Sequence, residues 1–248
     1  MRHYYNEFDP FAAAWLRALM ARGFIPEGEI DERSIVDVRP DDLREFRQCH
    51  FFAGIAGWSL ALKLGGWPED REVWTGSCPC QPLSVAGQRK GHADKRHLWP
   101  AFYNLIAKRR PTTVFGEQVA SADGREWLSA VRHDLEGIGY ACGAVHIEAS
   151  AVGARHKRGR LFFVADAGNE KPQRHFEQKR SLCGVQSRTP TVCSDRSLSS
   201  WFFDGPTPNS VSKIDGLPRP VGEMRAFGNA IVPQVAAEFI TAFMECRP

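Results

Sequence analysis

The sequence predicts an α/β fold with a largely parallel sheet. Strand-length apolar runs alternate with stretches of helical period, and Gly, Pro and Asp punctuate the joins between them. The composition is that of an ordinary globular domain: 248 residues, 43% hydrophobic and 25% charged.

In order, His3–Asn6 reads as a strand. Asp9 then offers a side-chain acceptor to the free amides of a helix start, and Pro10 has no amide to satisfy there. The helix runs over Phe11–Arg22 and stops at Gly23; Pro40–Arg47 is a short helix. Cys49–Ala53 is a buried strand, Gly54–Gly57 a tight turn, and Trp58–Leu64 a helix ended by Gly65-Gly66. Val73–Gly76 is a strand running into a Pro/Cys loop, Leu98–Arg109 a helix, Thr112–Phe115 a strand and Glu126–Glu136 a helix. Tyr140–His146 and Leu161–Ala165 are strands, and Pro233–Glu245 is a terminal helix.

Residues 167–219 break this rhythm, being rich in Ser, Pro, Gly, Lys and Arg without periodicity. Trp201-Phe202-Phe203 argues for a small irregular segment rather than a solvated linker. The expected organisation is a main domain over 1–166, this segment over 167–219, and a return to the main domain over 220–248. Charge is unevenly spread: residues 151–200 hold ten Lys/Arg against four Asp/Glu, while the whole chain is only +3. Such a basic segment on a near-neutral body suits a polyanion.

Apolar runs such as Phe11–Leu16 fall far short of the ~18–20 residues that span a bilayer. The first residues lack a signal-peptide pattern, so a soluble intracellular protein, with no membrane partner, is the expectation. Seven cysteines without a CxxC pair do not form a disulfide framework or zinc ribbon, and Cys183, Cys193 and His175 are too loosely spaced to argue for a metal.

Two stretches carry chemistry. Phe52-Ala53-Gly54-Ile55-Ala56-Gly57 is a strand–turn–helix whose glycines let a ligand approach the backbone, although it lacks the first glycine of a dinucleotide fingerprint. Gly76-Ser77-Cys78-Pro79-Cys80-Gln81-Pro82-Leu83-Ser84 follows a strand, where open α/β sheets place their chemistry.

Together these stretches resemble the DNA cytosine-5 methyltransferases, with their Pro-Cys-Gln loop downstream of a Phe-Ala-Gly-x-Gly-Gly turn. Further blocks follow in the family's order: Asp94-Lys95-Arg96, Gly116-Glu117-Gln118-Val119, His156-Lys157-Arg158-Gly159-Arg160 and Gly228-Asn229-Ala230-Ile231-Val232. The resemblance implies a Rossmann-like, S-adenosylmethionine-dependent methyltransferase sheet with 167–219 as a reduced target-recognition segment. It implies Cys80 as the nucleophile adding to cytosine C6, Glu117 as the group bonding N3 and the 4-amino group, Arg160 at cytosine O2, and Arg158 steadying the glutamate and loop. Phe52, Gly54, Gly57 and Asn229 would bind the cofactor. The implied partner is double-stranded DNA with its target base flipped out, met by a monomer in a bacterial or phage-infected cytoplasm, in a restriction-modification setting. A catalytically impaired DNA-binding relative is the alternative.

The sequence departs from the family pattern in several places. His50 stands for Asp, Ala56 for Gly, Leu83 for Phe, Gln118 for Asn and His156 for Gln. Gly216–Met224 replaces an unrecognisable motif. Only Trp67–Thr75 separates Gly66 from Gly76, too little for the ribose and adenine blocks that the family places there. Those blocks are instead expected before the Gly turn. Glu7 would be the ribose acid, with Phe8 against the adenine, and Asp31 the adenine acid, with Glu29 second. This rearranged order requires the first strand to lie beside Cys49–Ala53.

Overall fold

A computed structural model describes residues 3–79, 98–168 and 230–247. Its centre is a seven-stranded sheet of order β2-β1-β3-β4-β5-β7-β6. The strands are β1 His3–Asn6, β2 Gly28–Asp31, β3 Gln48–Phe51, β4 Val73–Gly76, β5 Thr113–Val119, β6 Ala141–Ile147 and β7 Arg160–Asp166. The first five are mutually parallel, and β7 runs antiparallel to both β5 and β6. This is the Rossmann-like α/β sheet of the expected class.

The helices are α1 Pro10–Ala21, α2 Gly57–Leu64, α3 Trp99–Arg109, α4 Ala122–Gly137 and α5 Pro233–Cys246. Asp9 caps α1 as its position promises, accepting from the amides of Phe11 and Ala12. One face of the sheet packs Phe51, Trp74 and Val114 against α3 and α4. The other packs Phe115 and Phe162 against α2 and α5. The central strands β1, β3 and β4 are therefore buried on both faces, as a sheet between two helix layers requires, while the edge strands β2 and β6 are partly exposed.

The two edges of β3 explain where a site can lie. β1 flanks β3 on one side and β4 on the other, so the chain switches direction across the sheet at β3. Such a switch opens a crevice at the carboxyl ends of the strands. Glu7, the Gly54 turn, Ser77 and the far half of β5 all lie at that end.

Several elements differ from the sequence reading. The helix expected over Pro40–Arg47 is a 3-10 turn, Pro40–Leu43. α4 begins at Ala122 rather than Glu126, because Ser121 caps it by accepting from the Gly124 amide. β5 continues to Val119 rather than ending at Phe115. Its pairing with β4 stops at Gly76 opposite Gly116, but β7 continues the ladder to Val119 opposite Arg160. Glu117 thus stands within a strand, paired with β7 on one side and past the end of β4 on the other.

Of the expected organisation, the helix of the 220–248 segment returns to the main body: Ile231 and Ile240, before and within α5, pack on α2 and its end. The recognition segment, apart from residues 167–168, lies outside the described residues, as do Cys80, Asp94-Lys95-Arg96 and Asn229. No helix among the described residues is long and apolar enough to cross a membrane.

Candidate active site

The site is built along the carboxyl edge of the sheet from two carboxylates. At the β1 end, Glu7 follows the last strand residue, and its Oε2 accepts from the Gly54 amide at 2.6 Å. Its Oε1 accepts from the Asp9 amide at 2.9 Å. The Ala53 amide in turn donates to the Asn6 carbonyl at 3.1 Å, so β1 and the Gly turn are knitted directly together. Burial raises the proton affinity of Glu7, and the backbone donors of Asp9 and Gly54 oppose that rise.

The turn itself uses unusual backbone. Phe52, Gly54 and Ala56 all have positive φ, at 52°, 55° and 69°. Gly54 suits this conformation, and a Cβ there would meet only the Phe52 carbonyl, at 4.0 Å, which leaves an open approach to the backbone. Ala56 occupies the left-handed region despite its methyl group, at a cost of roughly 1–2 kcal/mol. Gly57 is required for packing instead: a Cβ there would sit 2.7 Å from Cγ1 of Ile231. Phe8 is 71% exposed beside this turn.

Asp31 ends β2, but its carboxylate is committed within the protein. Oδ2 accepts from the Tyr4 hydroxyl at 2.6 Å and from Arg33 Nη2 at 2.7 Å. Oδ1 accepts from the Arg33 amide at 2.9 Å and Nε at 3.0 Å. Burial pushes its proton affinity up, and the Arg33 and Tyr4 hydrogen bonds outweigh that and leave it lowered. Since a carboxylate has about four lone-pair sites, these donors from Tyr4 and Arg33 anchor Asp31 at the β2 end. Glu29, the second candidate, is exposed.

At the β5 end, Glu117 is only 8% exposed. Its Oε1 accepts from Arg160 Nε at 2.7 Å. Burial raises its proton affinity most, opposed by the charges of Arg160 and Arg158 and by hydrogen bonding with the Ser77 hydroxyl. Arg158, at a positive φ of 34°, donates through Nη2 to the Ala230 carbonyl at 2.7 Å. Its own proton affinity is lowered by burial and by Arg160. Arg160 thus bonds the glutamate directly, while Arg158 acts on it through charge and ties the site to the segment before α5.

The entrance to the Pro/Cys loop is fixed from the same strand. Gln118 Nε2 donates to the Cys78 carbonyl at 3.3 Å, and Gln118 Oε1 accepts from the Val119 amide at 2.9 Å. Trp58 Nε1 donates to Ser77 Oγ at 3.0 Å. The contacts of Ser77 with Trp58 and Glu117 escape sequence reasoning, because they span 19 and 40 residues without a linear pattern. His50, where the family has Asp, is buried and hydrogen-bonds Thr75 Oγ1 at 2.8 Å across to β4.

A family model described as C-5 cytosine-specific DNA methylase matches residues 59–195. The chain belongs to this family. Among curated members it is 36% identical over 96 residues to Type II methyltransferase M.AplI of Arthrospira platensis, covering 38% of this chain and 28% of that protein. It is 31% identical over 151 residues to M.AgeI of Thalassovita gelatinovora, covering 58% and 33% respectively. It is 32% identical over 135 residues to M.CviJI of Paramecium bursaria Chlorella virus IL3A, covering 54% and 37%. The match therefore spans about a third of these relatives' own lengths. A solved structure of a Spodoptera frugiperda DNMT2 mutant superposes with a TM-score of 0.46 at 14% identity, covering 70% of this chain and 45% of that one.

Proposed function

We propose that the chain transfers a methyl group to C5 of cytosine in double-stranded DNA. The observation that carries this reading is the Glu117–Arg160 pair, buried at the carboxyl edge of the sheet and bonded through the neighbouring Gln118 to the loop that leads into Pro79-Cys80.

Cytosine C5 becomes nucleophilic only when a thiolate adds at C6, and Cys80 is the proposed thiolate. Glu117, whose burial favours the protonated form, donates to N3 and takes up the electron density that the addition pushes into the ring. Arg160 holds that carboxyl in place and presents its remaining donors toward O2. As the Cys80–C6 bond breaks, the C5 proton leaves to a general base and the N3 proton returns to Glu117, restoring the aromatic ring and the thiolate. The base must lie outside the helical stack for any of this to occur.

S-adenosylmethionine, as the cofactor of this reading, supplies the methyl group as an electrophile. The strand-end residues suit it. Glu7 accepts from the Gly54 and Asp9 amides, with the Phe8 amide also acting on it, and a carboxylate's remaining acceptor capacity suits ribose hydroxyls. Gly54 gives an open backbone, Phe52 and Gly57 frame the turn, and exposed Phe8 offers an apolar face to adenine. Asn229 completes this set by the family motif, and Asp31 shapes the adenine end through Tyr4 and Arg33. Arg155, His156 and Lys157 form an exposed basic run leading to Arg158, which supports assigning phosphate contacts to the segment over 151–200.

DNA synthesised with 5-fluorocytosine in place of cytosine tests the reading, because fluorine cannot leave C5 as a proton does. Wild type should form a denaturation-resistant adduct in the presence of S-adenosylmethionine, and Cys80→Ala should not. An adduct formed equally by Cys80→Ala would overturn the assignment of the nucleophile.

A further inference from the structure

We propose that Ser77, aimed by the Trp58 indole, is a positioning residue that fixes the orientation of the Glu117 carboxyl. The proposal deepens the reading above and rests on Glu117 acting on the cytosine ring.

Donors and acceptors around the hydroxyl restrict how it can pair. An indole N–H can only donate, and Trp58 Nε1 donates to Ser77 Oγ at 3.0 Å. That contact occupies a lone pair of the hydroxyl and leaves its single hydrogen for another acceptor. Gly76 stands opposite Gly116 in the β4–β5 ladder, so Ser77 emerges beside Glu117, and the hydroxyl lowers the proton affinity of that carboxyl as a hydrogen-bonding neighbour. With one acceptor site held by the indole, the directions open to the hydroxyl hydrogen are narrowed, and Glu117 is the neighbouring carboxylate on that side.

The ring itself is immobilised. Trp58 stacks on Phe115 with centroids 6.1 Å apart and meets Phe162 edge-on at 6.2 Å. Phe115 lies two residues before Glu117 on β5, and Phe162 is the cross-strand partner of Glu117 on β7. The frame that fixes the indole therefore also carries the glutamate. Trp58 is the second residue of α2, directly after the Gly turn, so the relay joins the proposed cofactor turn to the proposed base-binding carboxyl.

Among the described residues, the charges acting on Glu117 are Arg160 on β7 and Arg158 just before it, and Ser77 after β4 is the neutral donor. Arg160 Nε occupies Oε1. Two donors from different strands leave the carboxyl little freedom to turn. Because the Ser77 hydrogen bond favours the ionised form, its loss should keep Glu117 protonated to higher pH.

The test is methyl transfer from labelled S-adenosylmethionine to unmethylated plasmid DNA, measured across pH with the full chain, alongside cofactor binding and thermal unfolding. Ser77→Ala should lower kcat by about tenfold, the scale of one hydrogen bond to a charged group. It should also move the high-pH limb of kcat upward and leave cofactor binding unchanged. Ser77→Thr should restore both the rate and the limb. Trp58→Phe, which keeps a ring in place but removes the donor, should move the limb in the same sense by less, and serves on its own if Ser77→Ala fails to fold. Unmoved limbs in both Ser77→Ala and Trp58→Phe, with Glu117→Gln inactive, would overturn the role of Ser77 alone. A fully active Glu117→Gln would instead remove the catalytic reading on which the proposal stands.

Discussion

Glu7 and Glu117 stand at the same edge of one sheet, both with proton affinity raised first by burial, yet they are held by opposite means. Glu7 is gripped by backbone amides, those of Gly54 and Asp9. Glu117 is gripped by side chains, two of them guanidinium groups that act through charge. Amide donors fix a carboxylate in space while leaving acceptor sites open, which suits a group that reads hydroxyls. Cations and a hydroxyl set how readily a carboxyl gains or loses its proton, which suits a group that works on a reacting ring. The two ends of the edge are therefore separable, one proposed for binding and the other for chemistry.

The largest effect should come from Glu117→Gln, which keeps the shape but loses the ionisable carboxyl. The expected outcome is a fall in kcat of about 10²–10⁴-fold, with S-adenosylmethionine affinity unchanged by calorimetry. A loss of cofactor affinity instead would collapse the distinction between the two ends.

Glu7→Ala should act on the other side of the comparison. It should weaken S-adenosylmethionine binding by about 1.5–3 kcal/mol, the range for a hydrogen bond to a charged group, and leave DNA affinity in a gel-shift titration unchanged. Unaltered cofactor binding in a folded variant would separate Glu7 from the ribose.

A separate effect, on stability rather than on binding or rate, comes from the sheet between the two carboxylates. His50 is fully buried, and its proton affinity falls from an ordinary histidine value to about 3, mainly through desolvation, with His3 adding repulsion. A folded-state value below the unfolded one means the unfolded chain binds the proton more readily. The contribution of His50 is therefore complete above about pH 6.5 and is lost as pH falls from there toward 3, by about 1.4 kcal/mol per pH unit at most. Urea unfolding at stepped pH should show this slope, and His50→Asn should flatten it.

Much of this arrangement is legible in the amino-acid sequence alone. Asp9-Pro10 and Gly65-Gly66 bracket their helices because capping chemistry is local. The nine residues between Gly66 and Gly76 are too few for two further βα units, and the first strand, expected beside Cys49–Ala53, does lie beside β3. Other features are hidden because they are settled across the sheet. The length of β5 depends on β7, which continues the ladder after β4 has stopped. The partners of Asp31 are hidden in the same way, since nothing local shows that the Tyr4 hydroxyl arrives from 27 residues away, whereas Arg33 is only two residues on. The direct bond of Arg160 to Glu117 depends on register: Arg160 opens β7 and stands two residues along from Phe162, the cross-strand partner of Glu117, whereas Arg158 lies before the strand and acts through charge.

The central claim, methylation of cytosine C5 through Cys80, is tested most directly by mapping 5-methylcytosine in plasmid DNA. Base-resolution conversion sequencing would compare plasmid from cells expressing the full chain with plasmid from cells expressing its Cys80→Ala variant. The expected result is methylated cytosines at a short recurring sequence with wild type, and none above the empty-vector background with Cys80→Ala. Background-level methylation with a wild-type chain that is folded and binds S-adenosylmethionine would contradict it.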